Sequence, residues 1–213
     1  MLGQEMKPEP GVSVLIGVTG NSGCGQSTAA AALEGLADGV CSLDILGHRM
    51  LEKGFVTKEL SRSFGMPEMA GMVAPELRRT LSGMVFDGSN RLQALNSVVH
   101  PRMVRWARMT ARRARVQGGV WVLEGALLFE LGLAELFDST VVVKDTFERC
   151  SRRIYEMDGI PPEVTRRRWE SQMDLDGKAA MADHVIENSG GPQYLQERMI
   201  TIFHLILKTL NRI

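Results

Sequence analysis

GVTGNSGCGQST, residues 17–28, follows the β-branched run VSVLIGV (12–18) and opens the alanine-rich STAAAALEGLA (27–37). That order predicts strand, glycine-rich loop, helix. Gly20, four intervening residues, Gly25, Gln26 and Ser27 reproduce the spacing of a phosphate-binding loop at every position except its lysine, which is Gln26 here. Glycines at 20, 23 and 25 let the backbone turn N–H groups around phosphate oxygens, and the positive end of the following helix adds to that field. Gly20, Asn21, Ser22, Gly23, Cys24, Gly25, Gln26, Ser27 and Thr28 are therefore the candidate nucleotide-binding residues, with the Ser27 hydroxyl as candidate Mg²⁺ ligand. The alternative is a glycine-rich turn that only links strand to helix.

Lysine would bring a full positive charge to the β- and γ-phosphates, whereas glutamine brings a shorter, neutral amide. Phosphoryl transfer depends mainly on positioning and charge stabilisation, so losing that group is expected to cost about 10² to 10³ in rate. Cys24, in the same loop, is read as a small residue the loop tolerates, in preference to a favoured thiolate open to oxidation.

The rest of the chain places this loop in an α/β frame. VCSLD (40–44), VWVLEG (120–125), STVVVKD (139–145) and DHVIEN (183–188) are further short apolar runs separated by helical patterns, which predicts a parallel sheet wrapped by helices with ligands at the carboxyl ends of the strands. The expected organisation is an N-terminal tail (1–11) and one domain (12–213), with a helical insertion at about 48–117 and a lid at about 148–177. The lid is arginine-rich, poor in core residues and broken at Gly159, Pro161 and Pro162.

Composition excludes several classes. Apolar residues make up 44% and charged residues 23% of the 213, and the 25 basic residues balance the 25 acidic ones. A balanced chain has no global field to hold it on nucleic acid or an acidic membrane, so neither partner is expected. The apolar runs are too short to span a bilayer and MLGQEMKPEPG lacks a signal-peptide core, which predicts a cytoplasmic location. Cys24, Cys41 and Cys150 have no paired or metal-like spacing and are read as free thiols. PRMVRWARMTARRARVQ (101–117) is the most basic stretch; it is read as an amphipathic helix with Met103, Val104 and Trp106 inward and a solvated arginine face, in preference to a nucleic-acid surface. Near the end, Leu195, Met199, Ile202, Phe203 and Ile206 recur at helical spacing and are expected to pack on the sheet; the oligomeric state stays open.

Taken in order, IGVTGNSGCGQST, SLDILGHRMLEKG (42–54), FG (64–65), ELRRTL (76–81), VF (85–86), HP (100–101), ALLFE (126–130), FD (137–138), RWESQ (168–172) and KAAMADHVIENSG (178–190) make the chain resemble the dephospho-CoA kinase family. The resemblance runs from about Val14 to Gly190. It implies a P-loop core with a helical substrate-binding part and a lid, and transfer of the ATP γ-phosphoryl group to the ribose 3′-hydroxyl of dephospho-CoA.

By that resemblance Asp44 is the catalytic base, Arg153 the lid arginine that reaches the ATP phosphates, Asn188 an adenine contact, and His48, Arg79, His100 and Glu130 substrate-binding residues. Read as residues alone, Asp44 equally suits a helix N-cap before ILGHRML, His100 a hydrogen bond at a helix boundary before Pro101, and Asn188 a turn. Most of the lid arginines, Arg149, Arg152, Arg166, Arg167 and Arg168 among them, are read as a solvated helix face paired with nearby Glu and Asp. Departures from the family pattern are Gln26, Met157 where an arginine is common, Ser42-Leu43-Asp44 where Asp-Ala-Asp is usual, and Ala126 in place of a proline. Two readings therefore stand beside the kinase: a catalytically impaired nucleotide- or CoA-binding homologue acting as a sensor or partner protein, and a kinase for another small nucleotide acceptor.

Overall fold

The computed structural model describes residues 12–84 and 91–210. The tail at 1–11 and the VF motif at 85–86 lie outside the described residues. Contacts divide the chain into two compact units, Met1–Ser42 with Ala107–Ile213, and Leu43–Trp106.

The first unit is built on five parallel strands, β1 (Ser13–Thr19), β2 (Gly39–Ser42), β3 (Gly119–Glu124), β4 (Ser139–Lys144) and β5 (His184–Glu187), in the order β2-β3-β1-β4-β5. β1 is central and buried from Val14 onward, the environment in which a parallel strand reads as a continuous apolar run. Register brings Val18 of β1 and Ser42 of β2 both opposite Glu124 of β3, and Lys144 of β4 opposite Glu187 of β5, so the carboxyl ends share one edge. All five expected strands are present, with one correction. The 40–44 run leaves the sheet after Ser42, because Leu43, itself buried, is already the first residue of a helix.

Helix α1 (Gln26–Ala31) is shorter than the alanine-rich run promised. After Ala31 the backbone tightens into i→i+3 bonds from Leu33 N–H to Ala30 O and Glu34 N–H to Ala31 O, leading to Gly35 at φ 86°. Its Ala29 and Ala30 join Val14, Ile16, Val18, Val122, Val142 and Ile186 of the sheet in one core with α9 (Pro192–Thr209). The terminal pattern is as expected: Leu195, Met199, Ile202, Phe203 and Ile206 are all buried in that core, each worth about 1.5–3 kcal/mol of apolar transfer.

Between β2 and β3 every described element is helical: α2 (Leu43–Met50), α3 (Gly54–Phe64), a 3₁₀ turn (Pro67–Gly71), α4 (Ala74–Met84) and α5 (Arg91–Gln117). Within the second unit Val56, Leu60, Met69, Leu77 and Leu81 are buried. α5 belongs to this unit as far as Trp106 and to the sheet unit from Ala107. It passes through Pro101 unbroken, so the boundary read at His100–Pro101 is not there. Its buried positions are Val98, Val99, Met103, Ala107, Thr110, Ala111 and Ala114, which recur at helical spacing, and Val104 and Trp106 sit half-buried beside them. The arginine face is solvated as expected, with Arg108 on Glu135 at 3.4 Å and Arg115 on Asp138 at 2.6 Å.

The arginine-rich stretch folds as α6 (Phe147–Asp158) and α7 (Pro162–Glu170), separated by Gly159 at φ 66° and by Pro161. Phe147 and Trp169 meet edge to face with centroids 5.5 Å apart, and Arg166 lies 4.1 Å over the Phe147 ring. α8 (Leu175–Met181) follows. No described helix is long and apolar enough to cross a membrane.

Candidate active site

The loop joining β1 to α1 sits at the carboxyl edge of the sheet, where ligands of open parallel sheets collect. Gly20 is required by packing: a Cβ there would stand 2.4 Å from the Val143 carbonyl of β4. Cys24 N–H closes a turn on Asn21 O at 3.0 Å, and Ser22 N–H is held by Gln172 Oε1 at 3.0 Å. Two of the loop's N–H groups are therefore committed to protein, which the spacing of its glycines could not reveal.

Ser27 Oγ donates to Glu124 Oε2 at 3.2 Å. Glu124 ends β3 and is 4% exposed, so register alone aims its carboxylate at the first turn of α1. A hydroxyl and a carboxylate are the hard oxygen donors a phosphate-loop Mg²⁺ site uses, and this pair fits such an ion. Glu124 escaped the sequence reading, although the signal that singled out Asp44, a carboxylate ending a predicted strand, was equally present in VWVLEG.

Gln26 is 6% exposed, and its Oε1 has no hydrogen-bond partner. The neutral amide is thus buried in the loop at the place of the cation. Positive charge comes from α6: Arg153 Nη1 donates to Gly23 O at 2.9 Å, and its other terminal nitrogen pairs with Asp145. Arg149 adds a 3.4 Å contact to the same carboxylate. Met157 is 81% exposed on this helix and brings no charge.

Asn188 does not stand in a simple turn. Its Nδ2 donates to Cys24 O at 2.8 Å, bracing the loop from the end of β5. Gln172 and Met173 brace the other side, the Met173 carbonyl accepting from Asn21 Nδ2 at 3.2 Å. Met173 N–H in turn donates to Glu130 Oε1 at 2.9 Å, and the same oxygen pairs with Lys178 Nζ at 2.9 Å. Lys178 is completely buried and also donates to Ala126 O at 2.6 Å. Glu130, expected to bind substrate, is thereby engaged in the internal support of the loop, and Lys178 is a second participant the sequence reading missed.

Cys24 and Cys150 are both free and buried, with Cys150 Sγ donating to Cys24 Sγ at 3.5 Å. That bond pulls the Cys24 thiol below its ordinary pKa despite burial; donating it, and being buried, pushes the Cys150 thiol up.

The remaining expected residues belong to the helical unit. Asp44 is half-buried in the first turn of α2, inside the helix and not ahead of it, so the N-cap reading does not hold; it follows Ser42, the β2 residue in register with Glu124, by two positions. His48 is exposed one turn further on α2, Arg79 is exposed on α4, and His100 is half-buried on α5.

A five-stranded parallel sheet whose glycine loop opens onto a serine held by a strand-end carboxylate defines a phosphate-loop kinase fold. Shikimate kinase from Bacteroides thetaiotaomicron shares that fold, with a TM-score of 0.52 at 13% identity over 92% of this chain and 99% of that one. Within the class, residues 14–193 match the family model described as dephospho-CoA kinase, and the chain belongs to the dephospho-CoA kinase family. It is 34% identical to the dephospho-CoA kinase of Corynebacterium diphtheriae over 184 residues, 85% of this chain and 92% of the relative. A crystal structure from Thermus thermophilus aligns with a TM-score of 0.68 and 33% identity, covering 91% of this chain and 97% of that one.

Proposed function

We propose that the protein transfers the γ-phosphoryl group of ATP to the ribose 3′-hydroxyl of dephospho-CoA. The observation that carries this reading is the Ser27–Glu124 pair at the mouth of an otherwise complete phosphate loop, in a chain of this family. Residues 20–28 hold the triphosphate. Ser27 and Glu124 would hold Mg²⁺, which when bound neutralises charge on the phosphate oxygens. Arg153 replaces the charge that Gln26 lacks, its forked guanidinium exchanging Gly23 O for a phosphate oxygen. Asp44 accepts the proton of the 3′-hydroxyl as that oxygen attacks the γ-phosphorus. Asn188 offers its Oδ1 to the adenine amino group, and His48, Arg79 and His100 bind dephospho-CoA. Glu130 acts on the substrate side through the segment it holds at Met173.

The experiment is steady-state formation of CoA from dephospho-CoA and MgATP by the purified protein. Turnover supports the reading; its absence with MgATP bound refutes it. A second reading rests on the buried, uncharged Gln26 with the exposed Met157: a CoA- or nucleotide-binding homologue that no longer turns over. Binding without turnover, restored to turnover by Gln26→Lys, identifies that case. Competition between dephospho-CoA and nucleoside monophosphates for the acceptor site tests for a different acceptor.

A further inference from the structure

The phosphate loop and helix α6 each contribute a thiol that phosphoryl transfer does not use. Cys24 and Cys150 are 126 positions apart in sequence, both 0% exposed, with sulfurs 3.5 Å apart. The backbones bearing them are in close contact: a Cβ placed on Gly23 would lie 3.1 Å from Cys150 Cβ and 2.8 Å from Cys150 O. A disulfide has its sulfurs about 2.05 Å apart. The remaining gap is about 1.5 Å, small enough for side-chain rotation with a slight shift of the loop.

We propose that Cys24 and Cys150 form a reversible disulfide that ties the phosphate loop to α6 and closes the loop to nucleotide. The oxidant is a small peroxide such as hydrogen peroxide. The Cys24 thiolate attacks one peroxide oxygen, the O–O bond breaks, and Cys24 becomes a sulfenic acid while hydroxide leaves. The Cys150 sulfur then attacks the sulfenic sulfur, forming S–S and breaking S–O; the departing hydroxide takes up the Cys150 proton as water. In sum, two thiols and one hydrogen peroxide give one disulfide and two waters, the sulfurs losing the two electrons that the peroxide gains. Cys24 is the attacking sulfur because the hydrogen bond from Cys150 favours its thiolate. Both groups are enclosed, so the oxidant enters when α6 opens locally from the loop, and the rate follows that opening.

The consequence for ligand binding rests on the proposed nucleotide site; the disulfide itself does not. Cys24 lies mid-loop, its carbonyl fixed by Asn188 and its N–H by Asn21. Drawing its sulfur toward α6 distorts that turn. The bond also holds Arg153, three residues beyond Cys150, on Gly23 O, where it cannot pass to a phosphate.

The test uses the full-length protein, reduced, freed of reductant and treated with hydrogen peroxide. Free thiols are expected to fall from three to one, the intact mass to fall by two hydrogens, and peptides holding Cys24 and Cys150 to be found linked. MgATP affinity is expected to drop by about tenfold or more and to return with dithiothreitol. Cys41→Ser keeps the response, and Cys150→Ala abolishes the loss of two hydrogens. A link through Cys41, a link between two molecules, or sulfinic acid on Cys24 without any link overturns the disulfide. A Cys24–Cys150 bond with MgATP affinity unchanged overturns the closure. If the reduced protein does not bind MgATP at all, the kinase reading fails, and mass and thiol count still decide whether the disulfide forms.

Discussion

Arg153 Nη1 donates to the carbonyl of Gly23 at 2.9 Å, which sets a guanidinium against the phosphate loop of a chain whose loop has glutamine for lysine. The cation enters from α6 and not from α1. If it serves the lysine's purpose, the two positions are coupled. Arg153→Ala is expected to lower kcat/KM for MgATP by about 10² to 10³, the scale of removing one charged donor from a transition state. Gln26→Lys is expected to recover most of that loss in the Arg153→Ala background and to gain less in the wild type. Steady-state kinetics on the four proteins measure the coupling. Strictly additive effects would mean that Arg153 does not stand in for the lysine.

Glu124 and Ser27 make the second prediction. Glu124→Gln keeps an acceptor for the Ser27 hydroxyl at about the same position but removes the charge. The Mg²⁺ concentration at half-maximal rate is expected to rise about tenfold, with kcat down by about 10². A Mg²⁺ titration at fixed ATP reads this. An unchanged Mg²⁺ dependence assigns Glu124 to packing alone.

These two pairs differ in how far the sequence betrayed them. The strands were legible because a parallel strand buried on both faces leaves an uninterrupted apolar run, as in VSVLIGV and STVVVK. The loop was legible because its spacing is local. Glu124 was visible as a residue and went unused, while Arg153 entered only through resemblance to a family. What holds the loop was not legible, because its partners are tertiary: Gln172 is 150 residues from Ser22, and Asn188 is 164 from Cys24. No period or spacing encodes such contacts. The inward face of α5 was only partly legible: Met103 is buried as apolar size indicated, Val104 and Trp106 are half-buried, and packing adds the small residues Ala107, Ala111 and Ala114, which size does not single out.

Lys178 carries the third prediction. Its ammonium is fully enclosed and satisfied by Glu130 and Ala126 O. Lys178→Met leaves a partly buried carboxylate without its counter-charge, and breaking such a pair from one side costs about 3–5 kcal/mol. Adding Glu130→Gln is expected to return part of that loss, since the uncompensated charge is gone while an acceptor for Met173 N–H remains. Urea unfolding of the single and double variants measures both. A cost below about 1 kcal/mol for Lys178→Met would show the pair to be incidental.

Asp44 separates chemistry from structure through the choice of substituent. It lies in the first turn of α2, where a carboxylate also favours the helix by its charge, an effect of about 0.3–1 kcal/mol. Asn is close in size and gives up only that charge contribution, so Asp44→Asn removes the ability to take a proton with little change to the fold. As the base, Asp44 is expected to leave the variant with kcat lower by about 10² to 10⁴ and MgATP affinity within about twofold of wild type, measured by single-turnover kinetics and calorimetric titration. A purely helical role predicts the opposite pattern, with kcat retained and the unfolding midpoint slightly lowered. Loss of kcat together with MgATP affinity would place Asp44 in nucleotide binding, and the proton would then need another acceptor.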